Sequence, residues 1–214
     1  MEKLLMTTID SHKLPNLSED ILNDSVIMQF NHNEHIIRAN QSLPFLFFIL
    51  KGKAKVTFLQ ENGKSVLLHF PKENDWIGEL SFIGVEEETK DVVSIGKTVC
   101  LAIPSRIVTD KLLADNSFLK LIARFIGRKL LDRTEHFSKN QGYDLKFRLA
   151  TFIIDASNDN HYDEPHTIVA DYLGVSYRHL LQVFKDFQEQ GYITKIKSHR
   201  YTINKQKLSS LYID

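Results

Sequence analysis

Between Thr167 and Ile193 the chain reads TIVADYLGVSYRHLLQVFKDFQEQGYI, and the spacing of Ala170, Gly174, Leu180 and Val183 points to two short helices joined by a tight turn. Ala170 falls where the first helix must meet the second, and only a small side chain permits that approach. Gly174 supplies the turn, at a position that calls for positive φ. Leu173, Val175, Leu180 and Val183 are the apolar plugs of a small core. Pro165 fits the first turn of the leading helix, with Asp163 or Glu164 as its cap. Ser176 caps the second helix, its hydroxyl placed to accept from the amide of Arg178 or His179. The open face of an ordinary antiparallel helix pair more often carries Glu and Lys pairs. Tyr177, Arg178, Gln182 and Lys185 stand there instead, at positions that a groove-bound helix turns toward DNA.

The residues beyond Ile193 extend this reading. ITKI and RYTI alternate with a two-residue period around Lys197, Ser198 and His199, the pattern of a small hairpin wing. From Arg178 to Lys207 the basic residues are Arg178, Lys185, Lys195, Lys197, Arg200, Lys205 and Lys207, against Asp186 and Glu189 alone. The whole chain carries 27 basic and 27 acidic side chains, so no global field draws it to phosphate. Any affinity for double-stranded DNA must come from this patch.

With 214 residues, 43% of them hydrophobic, the chain can build one large core or two modest ones. Cys100, the single cysteine, lies in the apolar run TVCLAI and reads as a buried structural thiol. It excludes an intrachain disulfide and cannot alone hold an iron–sulfur cluster, which needs about four thiolates or equivalents. No apolar run approaches the roughly 20 residues of a membrane span, and the start MEKLLMTTIDSHKLP lacks the apolar core of a signal peptide. The expectation is a soluble cytoplasmic protein with no membrane partner.

Upstream, VIMQF, HIIRA, FLFFIL, AKVTFL, SVLLHF, DVVSI and TVCLAI read as short strands between Val26 and Ile103, with turn signals at Lys51-Gly52, Asn62-Gly63 and Ile77-Gly78. Asn62-Gly63 predicts a two-residue hairpin with paired positive φ angles. Regular short strands of this kind suggest a sandwich or jelly-roll barrel. Helical periodicity begins with SRIVTDKLLADNS after Pro104, and a long helix from Phe118 to about Lys139 places Leu119, Ile122, Ile126, Leu130 and Phe137 on one stripe. Phe118, Leu121, Phe125 and Leu131 widen that face beyond the roughly 100° that covers a single sheet, which leaves room for a partner helix. The fold class is α+β: an N-terminal β jelly-roll barrel over residues 1–115, a long dimerisation helix over 116–140 and a C-terminal winged helix-turn-helix over 141–214.

That order resembles the CRP/FNR family of bacterial transcription regulators along almost the whole chain. Four segments carry the likeness: FILKGKAKVTFLQENGKSVLLHF in the barrel, DWIGELSFIG at the pocket, FRLATFII opening the C-terminal domain, and ADYLGVSYRHLLQVFKDFQEQGYI. Within the family, YLGVSYRHLL is similar to the YeiL-type branch. The resemblance implies a cyclic-nucleotide-binding-like barrel, a homodimer on an inverted-repeat operator, a small-molecule effector of unknown identity, and RNA polymerase as a further partner.

In the cyclic-nucleotide branch a Gly-Glu-Leu turn meets the ribose, and an Arg-Ser or Arg-Thr pair binds the cyclic phosphate. Gly78, Glu79 and Leu80 match the turn, but Thr89 and Lys90 stand where the pair would be. Lysine lacks the planar fork that grips two phosphate oxygens, and Glu86, Glu87, Glu88 and Asp91 surround it with charge that repels a monoanion. Arg133 and Thr134 on the long helix complete the pocket candidates. Cyclic AMP is therefore disfavoured, and Glu79 is expected to be structural, its carboxylate bonded to turn amides. Oxygen sensing through an iron–sulfur cluster, as in the FNR branch, fails on the cysteine count within one chain. His32, Glu34 and His35 lack the His-x-His spacing and downstream ligands of a cupin metal site and read as a polar turn. No cofactor and no metal site is expected.

Family members read base edges with a glutamate and an arginine four residues apart, and those positions hold Arg178 and Gln182. Arginine matches the O6 and N7 acceptors of guanine, glutamine the N6 and N7 pattern of adenine, so the operator is expected to depart from the usual half-site. Tyr177 offers an apolar contact to a thymine methyl, while Thr167, Ser176, His179 and Lys185 position the backbone. Two alternatives stay open: a cyclic-nucleotide-responsive regulator, and a cyclic-nucleotide-binding module whose helical tail serves protein interaction. For a barrel enzyme there is no Ser-His-Asp grouping, no paired acids and no metal-ligand spacing, so no catalytic residue is expected.

Overall fold

The computed structural model of the protein describes residues 2–4 and 17–213. The first elements are β1 (Glu2–Leu4), α1 (Glu19–Asn23), β2 (Val26–Phe30), β3 (His35–Ile37), β4 (Phe45–Leu59), β5 (Ser65–His69), β6 (Trp76–Ile77), α2 (Glu79–Phe82) and β7 (Asp91–Pro104). Their antiparallel sheet runs β1-β2-β7-β4-β5, with β3 on β7 and β6 on β4. Ile27, Leu46, Phe48, Trp76, Leu101 and Ile103 fill its interior.

Two expected strand breaks are absent. FLFFIL and AKVTFL form the single 15-residue β4, and DVVSI and TVCLAI the single 14-residue β7. The reason lies in their pairing: Lys51 and Lys53 of β4 face Val99 and Ile95 of β7, so the bend at Gly52 is matched by a bulge opposite, and the strands turn together without parting. Gly52 takes φ of 90°, and a Cβ there would stand 2.5 Å from the Lys97 carbonyl oxygen. The Asn62-Gly63 hairpin also differs from expectation. Of that pair only Gly63 has positive φ, and the Gln60 amide donates to the Lys64 carbonyl at 2.9 Å, which closes a three-residue loop of Glu61, Asn62 and Gly63. HIIRA is strand only over β3.

After β7 the SRIVTDKLLADNS segment breaks at Lys111 into α3 (Ser105–Asp110) and a 3-10 turn over Leu112–Ala114. The long helix α4 (Asn116–Gly142) follows. The stripe expected of Leu119, Ile122, Ile126 and Leu130, widened by Phe118, Leu121, Phe125 and Leu131, is divided in the structure. Phe118 and Ile122 are buried in the barrel core, with Leu121, Phe125 and Ile126 packed against it, and the Phe118 ring meets Trp76 edge-on at 5.6 Å. Leu119, Leu130 and Leu131 face outward. The buried set repeats at spacings of three and four residues, so the inward face is the one that carries the aromatics. The Phe137 side chain lies outside the described residues.

The chain divides into two compact units, Met1–Phe58 with His69–Asp132 and Leu59–Leu68 with Arg133–Asp214. The second contains α5 (Leu145–Ala156), β8 (His161–Tyr162), α6 (His166–Leu173), α7 (Tyr177–Glu189), β9 (Ile193–Lys197), β10 (Arg200–Ile203) and α8 (Lys205–Leu208). Leu149, Ile153, Tyr162, Val169, Leu180 and Phe184 form its core, each almost fully buried. The wing strands β9 and β10 pair as expected, and β8, too short to show any alternation, adds a third strand beside β10. Pro165 stands at the N-cap of α6, one position before the first turn where it was expected.

Candidate nucleic-acid interface and effector pocket

The turn between α6 and α7 is closed by the backbone. Gly174 takes φ of 64°, and the Val175 amide donates to the Ala170 carbonyl at 3.0 Å. Ser176 then caps α7, its hydroxyl accepting from the His179 amide at 3.2 Å. Periodicity separates the two faces of α7: Leu180, Val183, Phe184 and Phe187 are buried, while Tyr177, Arg178, His179, Gln182 and Lys185 are exposed. Thr167, in the first turn of α6, is exposed as well. All seven residues expected to meet DNA therefore lie on the surface of one unit.

Two of them have partners on the same helix. Lys185 Nζ lies 3.6 Å from Glu189, and the Gln182 amide nitrogen donates to Asp186 Oδ1 at 2.9 Å. On the wing, Lys195, Lys197 and Arg200 are exposed, whereas Lys207 turns back to donate to the Gln190 carbonyl and cover the Tyr192 ring.

Beneath the wing sits a histidine whose part in the packing sequence reasoning missed. His166, 6% exposed, packs against the tilted Phe184 ring with centroids 4.3 Å apart, and its Nε2 is hydrogen-bonded to the Tyr201 hydroxyl at 3.2 Å. The ring of His199, in the wing turn, meets it edge-on at 5.0 Å. Burial, then the nearby charges of His199 and Lys195, pull its pKa down to about 4, so the ring is neutral at physiological pH.

In the barrel unit, Gly78 takes φ of 91° and starts α2. Glu79 is 3% exposed, and its partner is not the set of turn amides expected: the carboxylate receives Lys129 Nζ from α4 at 2.8 Å. A carboxylate held this far from water needs a cation, and a lysine stem can bring one along an apolar stripe. The signal is present in the sequence, since Lys129 continues the Ile122, Phe125, Ile126 face by three residues. Asp75, half-buried nearby, has its carboxyl raised above the usual range, chiefly by burial.

The other pocket candidates already have partners within the chain. The Thr89 hydroxyl lies 3.1 Å and 3.2 Å from the Arg38 and Gln41 carbonyls and accepts from the Gln41 amide. Lys90 pairs with Glu86, which also accepts from the Ser81 hydroxyl at 2.9 Å. Leu80 is half-buried. Arg133 and Thr134 are exposed members of the second unit, where the Arg133 charge acts on Tyr172, a phenol that burial pushes up to about 12.

His32, Glu34 and His35 diverge to three different partners: His32 Nδ1 accepts from the Gly96 amide at 3.1 Å, Glu34 from the Asn31 amide at 2.7 Å, and His35 lies 3.5 Å from Asp91. Among the described residues no three His, Cys, Asp or Glu side chains are grouped to hold a metal ion. Cys100 is fully buried, and burial raises its thiol far above the usual range. No helix among the described residues is long and apolar enough to cross a membrane.

A winged helix-turn-helix with an exposed polar face on its second helix has the build of a DNA-binding head. Residues 27–115 match the cyclic nucleotide-binding domain family. Regulatory protein YeiL of Escherichia coli O157:H7 is 32% identical over 195 residues, which cover 91% of this chain and 89% of that protein. TTHB099, a CRP-family transcriptional regulator of Thermus thermophilus, shares the fold with a TM-score of 0.63 at 16% identity, over 86% of this chain and 95% of that one. FixK2 of Bradyrhizobium japonicum does so with a TM-score of 0.59 at 14% identity, over 89% and 98%. The chain belongs to the CRP/FNR family of transcription regulators.

Proposed function

We propose that the protein acts as a homodimer that binds an inverted-repeat operator in double-stranded DNA and reads each half-site with Arg178 and Gln182. The division of α7 into a buried apolar face and an exposed Tyr177-Arg178-Gln182 face carries this reading. Arg178 fits a guanine, Gln182 an adenine, and Tyr177 a thymine methyl. Thr167, Ser176, His179 and Lys185 sit toward phosphates, and the exposed Lys185–Glu189 pair is weak enough to exchange for one. Leu119, Leu130 and Leu131 support the dimer, because α4 presents them outward at 38%, 64% and 64% exposure. Two-fold symmetry then spaces two heads one turn of DNA apart.

The effector is a small molecule other than cyclic AMP, or the protein needs none. What supports this is the pairing of Glu79 with Lys129, of Lys90 with Glu86, and of Thr89 with backbone. The protein works in the cytoplasm as a regulator rather than an enzyme, with RNA polymerase as the partner of any activating form.

Selection from randomised duplexes, followed by fluorescence anisotropy across a salt series, tests the reading. An inverted repeat with steep salt dependence is expected, unmoved by cyclic AMP. Arg178→Ala is expected to cost about 1–3 kcal/mol and to relax selectivity at one base pair of each half-site. Absence of binding to any duplex at low salt, or a loss equal for all sequences on Arg178→Ala, overturns it.

A further inference from the structure

We propose that Asp186 is a positioning residue for base recognition: by accepting the Gln182 amide it fixes which end of that amide faces the DNA, and so sets adenine over guanine at that position. The inference rests on the DNA reading above. Gln182 Nε2 lies 2.9 Å from Asp186 Oδ1, one helical turn further along α7. A carboxylate has no proton to give, so only the nitrogen end of the amide can make this bond. The flip of the Gln182 amide is thereby settled by chemistry. One N–H is consumed, while Oε1 and the second N–H remain available.

That remaining pair has one sense. An acceptor beside a donor matches the N6–H and N7 of adenine, whereas guanine presents two acceptors, O6 and N7. With Oε1 held toward the groove, guanine O6 would meet a lone pair. A Gln182 free to turn over could offer N–H to either purine and would lose this discrimination. The location suits the role. Residues near the start of a recognition helix approach the bases, and Asp186 lies two turns beyond Arg178, half-buried, where the helix is moving away from its N-terminal end. A negative charge in an otherwise basic stretch lowers affinity for phosphate, so its presence favours selectivity over binding strength. As a helix-stabilising contact alone, a Gln–Asp pair four residues apart contributes little and would carry no base dependence.

The experiment compares wild type, Asp186→Ala, Asp186→Asn, Asp186→Glu, Gln182→Ala and the Gln182→Ala/Asp186→Ala double variant on the selected duplex and on its single-base variants, using the full-length protein. Expected is a loss of about fivefold to tenfold in adenine-over-guanine preference at one position for Asp186→Ala, with the Arg178 position unmoved, given the discrimination a good bidentate contact supplies. Asp186→Asn, whose amide can donate as well as accept, behaves like alanine. Asp186→Glu, which keeps an acceptor-only group, restores the preference. In the Gln182→Ala background the Asp186→Ala change has no effect on base preference. Asp186→Ala changing affinity equally for every duplex, or leaving the preference intact, overturns the proposal while the DNA reading stands. Wild type that selects no duplex overturns both. Circular dichroism melts exclude misfolded variants, and the conservative Asp186→Asn and Asp186→Glu pair decides the matter if alanine does not fold.

Discussion

Lys129 Nζ lies 2.8 Å from Glu79 Oε1, and the two residues are unequal partners: the glutamate side chain is 3% exposed, the lysine 21%. Removing the lysine strands a carboxylate away from water, whereas removing the charge of the glutamate leaves an ammonium that can still reach solvent along its stem. Lys129→Met is expected to destabilise by about 3 kcal/mol and Glu79→Gln by only about 1–2 kcal/mol, with the double variant recovering part of the loss. Urea denaturation followed by tryptophan fluorescence checks this, since Trp76 lies in the same core. Equal costs for the two single changes would show that the asymmetry of burial does not govern the pair.

Two glycines with positive φ should respond differently to alanine. Gly174, with φ of 64°, has open space where a Cβ would go, so Gly174→Ala carries only the left-handed backbone cost of about 1–2 kcal/mol. At Gly52 the added carbon meets the Lys97 carbonyl at 2.5 Å, and Gly52→Ala is expected to cost about 3 kcal/mol or more. Gly174→Asn should be milder still than Gly174→Ala. Thermal melts of the three variants rank them.

His166 predicts an acid limb of stability. Its folded pKa is near 4 against an ordinary 6.5, so the unfolded chain binds the extra proton first. The contribution is whole above about pH 6.5 and is lost as pH falls toward 4, at up to about 1.4 kcal/mol per pH unit. His166→Phe keeps a ring packed against Phe184 and removes the titration. The difference in urea midpoint between wild type and variant should move steadily against the wild type as pH falls from 7 to 5, and a constant difference would count against the histidine.

Leu131, at 64% exposure, contributes little to the core of its own chain. Leu131→Lys is expected to leave the melting temperature within a few degrees of wild type while shifting sedimentation from dimer to monomer. Binding to an inverted repeat should fall far more than binding to a single half-site. Unchanged sedimentation would place the dimer contact elsewhere.

What can be read from the sequence is local. Gly174, Ser176 and the apolar spacing of α7 each act within a few residues, and all three stand as expected. The fusion of FLFFIL with AKVTFL is not readable, because Lys51-Gly52 signals a turn unless the opposite strand bulges with it, and that strand lies more than 40 residues away. The partner of Glu79 is 50 residues distant on another element. How the widened apolar face of α4 divides is not readable either, because a helix so rich in apolar residues offers more than one face to the core, and the aromatic contact of Phe118 with Trp76 chooses between them. His166 gives no periodic signal, being a polar residue that is buried by the wing folding over it.

The two faces of α7 separate what holds the head together from what the proposed reading of DNA would use. Leu180, Val183, Phe184 and Phe187 bear the packing, and Arg178 and Gln182 bear none of it. If Arg178 and Gln182 read the operator as proposed, a lineage can rewrite its address on the genome by single steps that leave folding untouched, and a duplicated copy can acquire new targets before it acquires a new shape. On that proposal the same independence makes this helix a practical place to install a chosen operator by substitution.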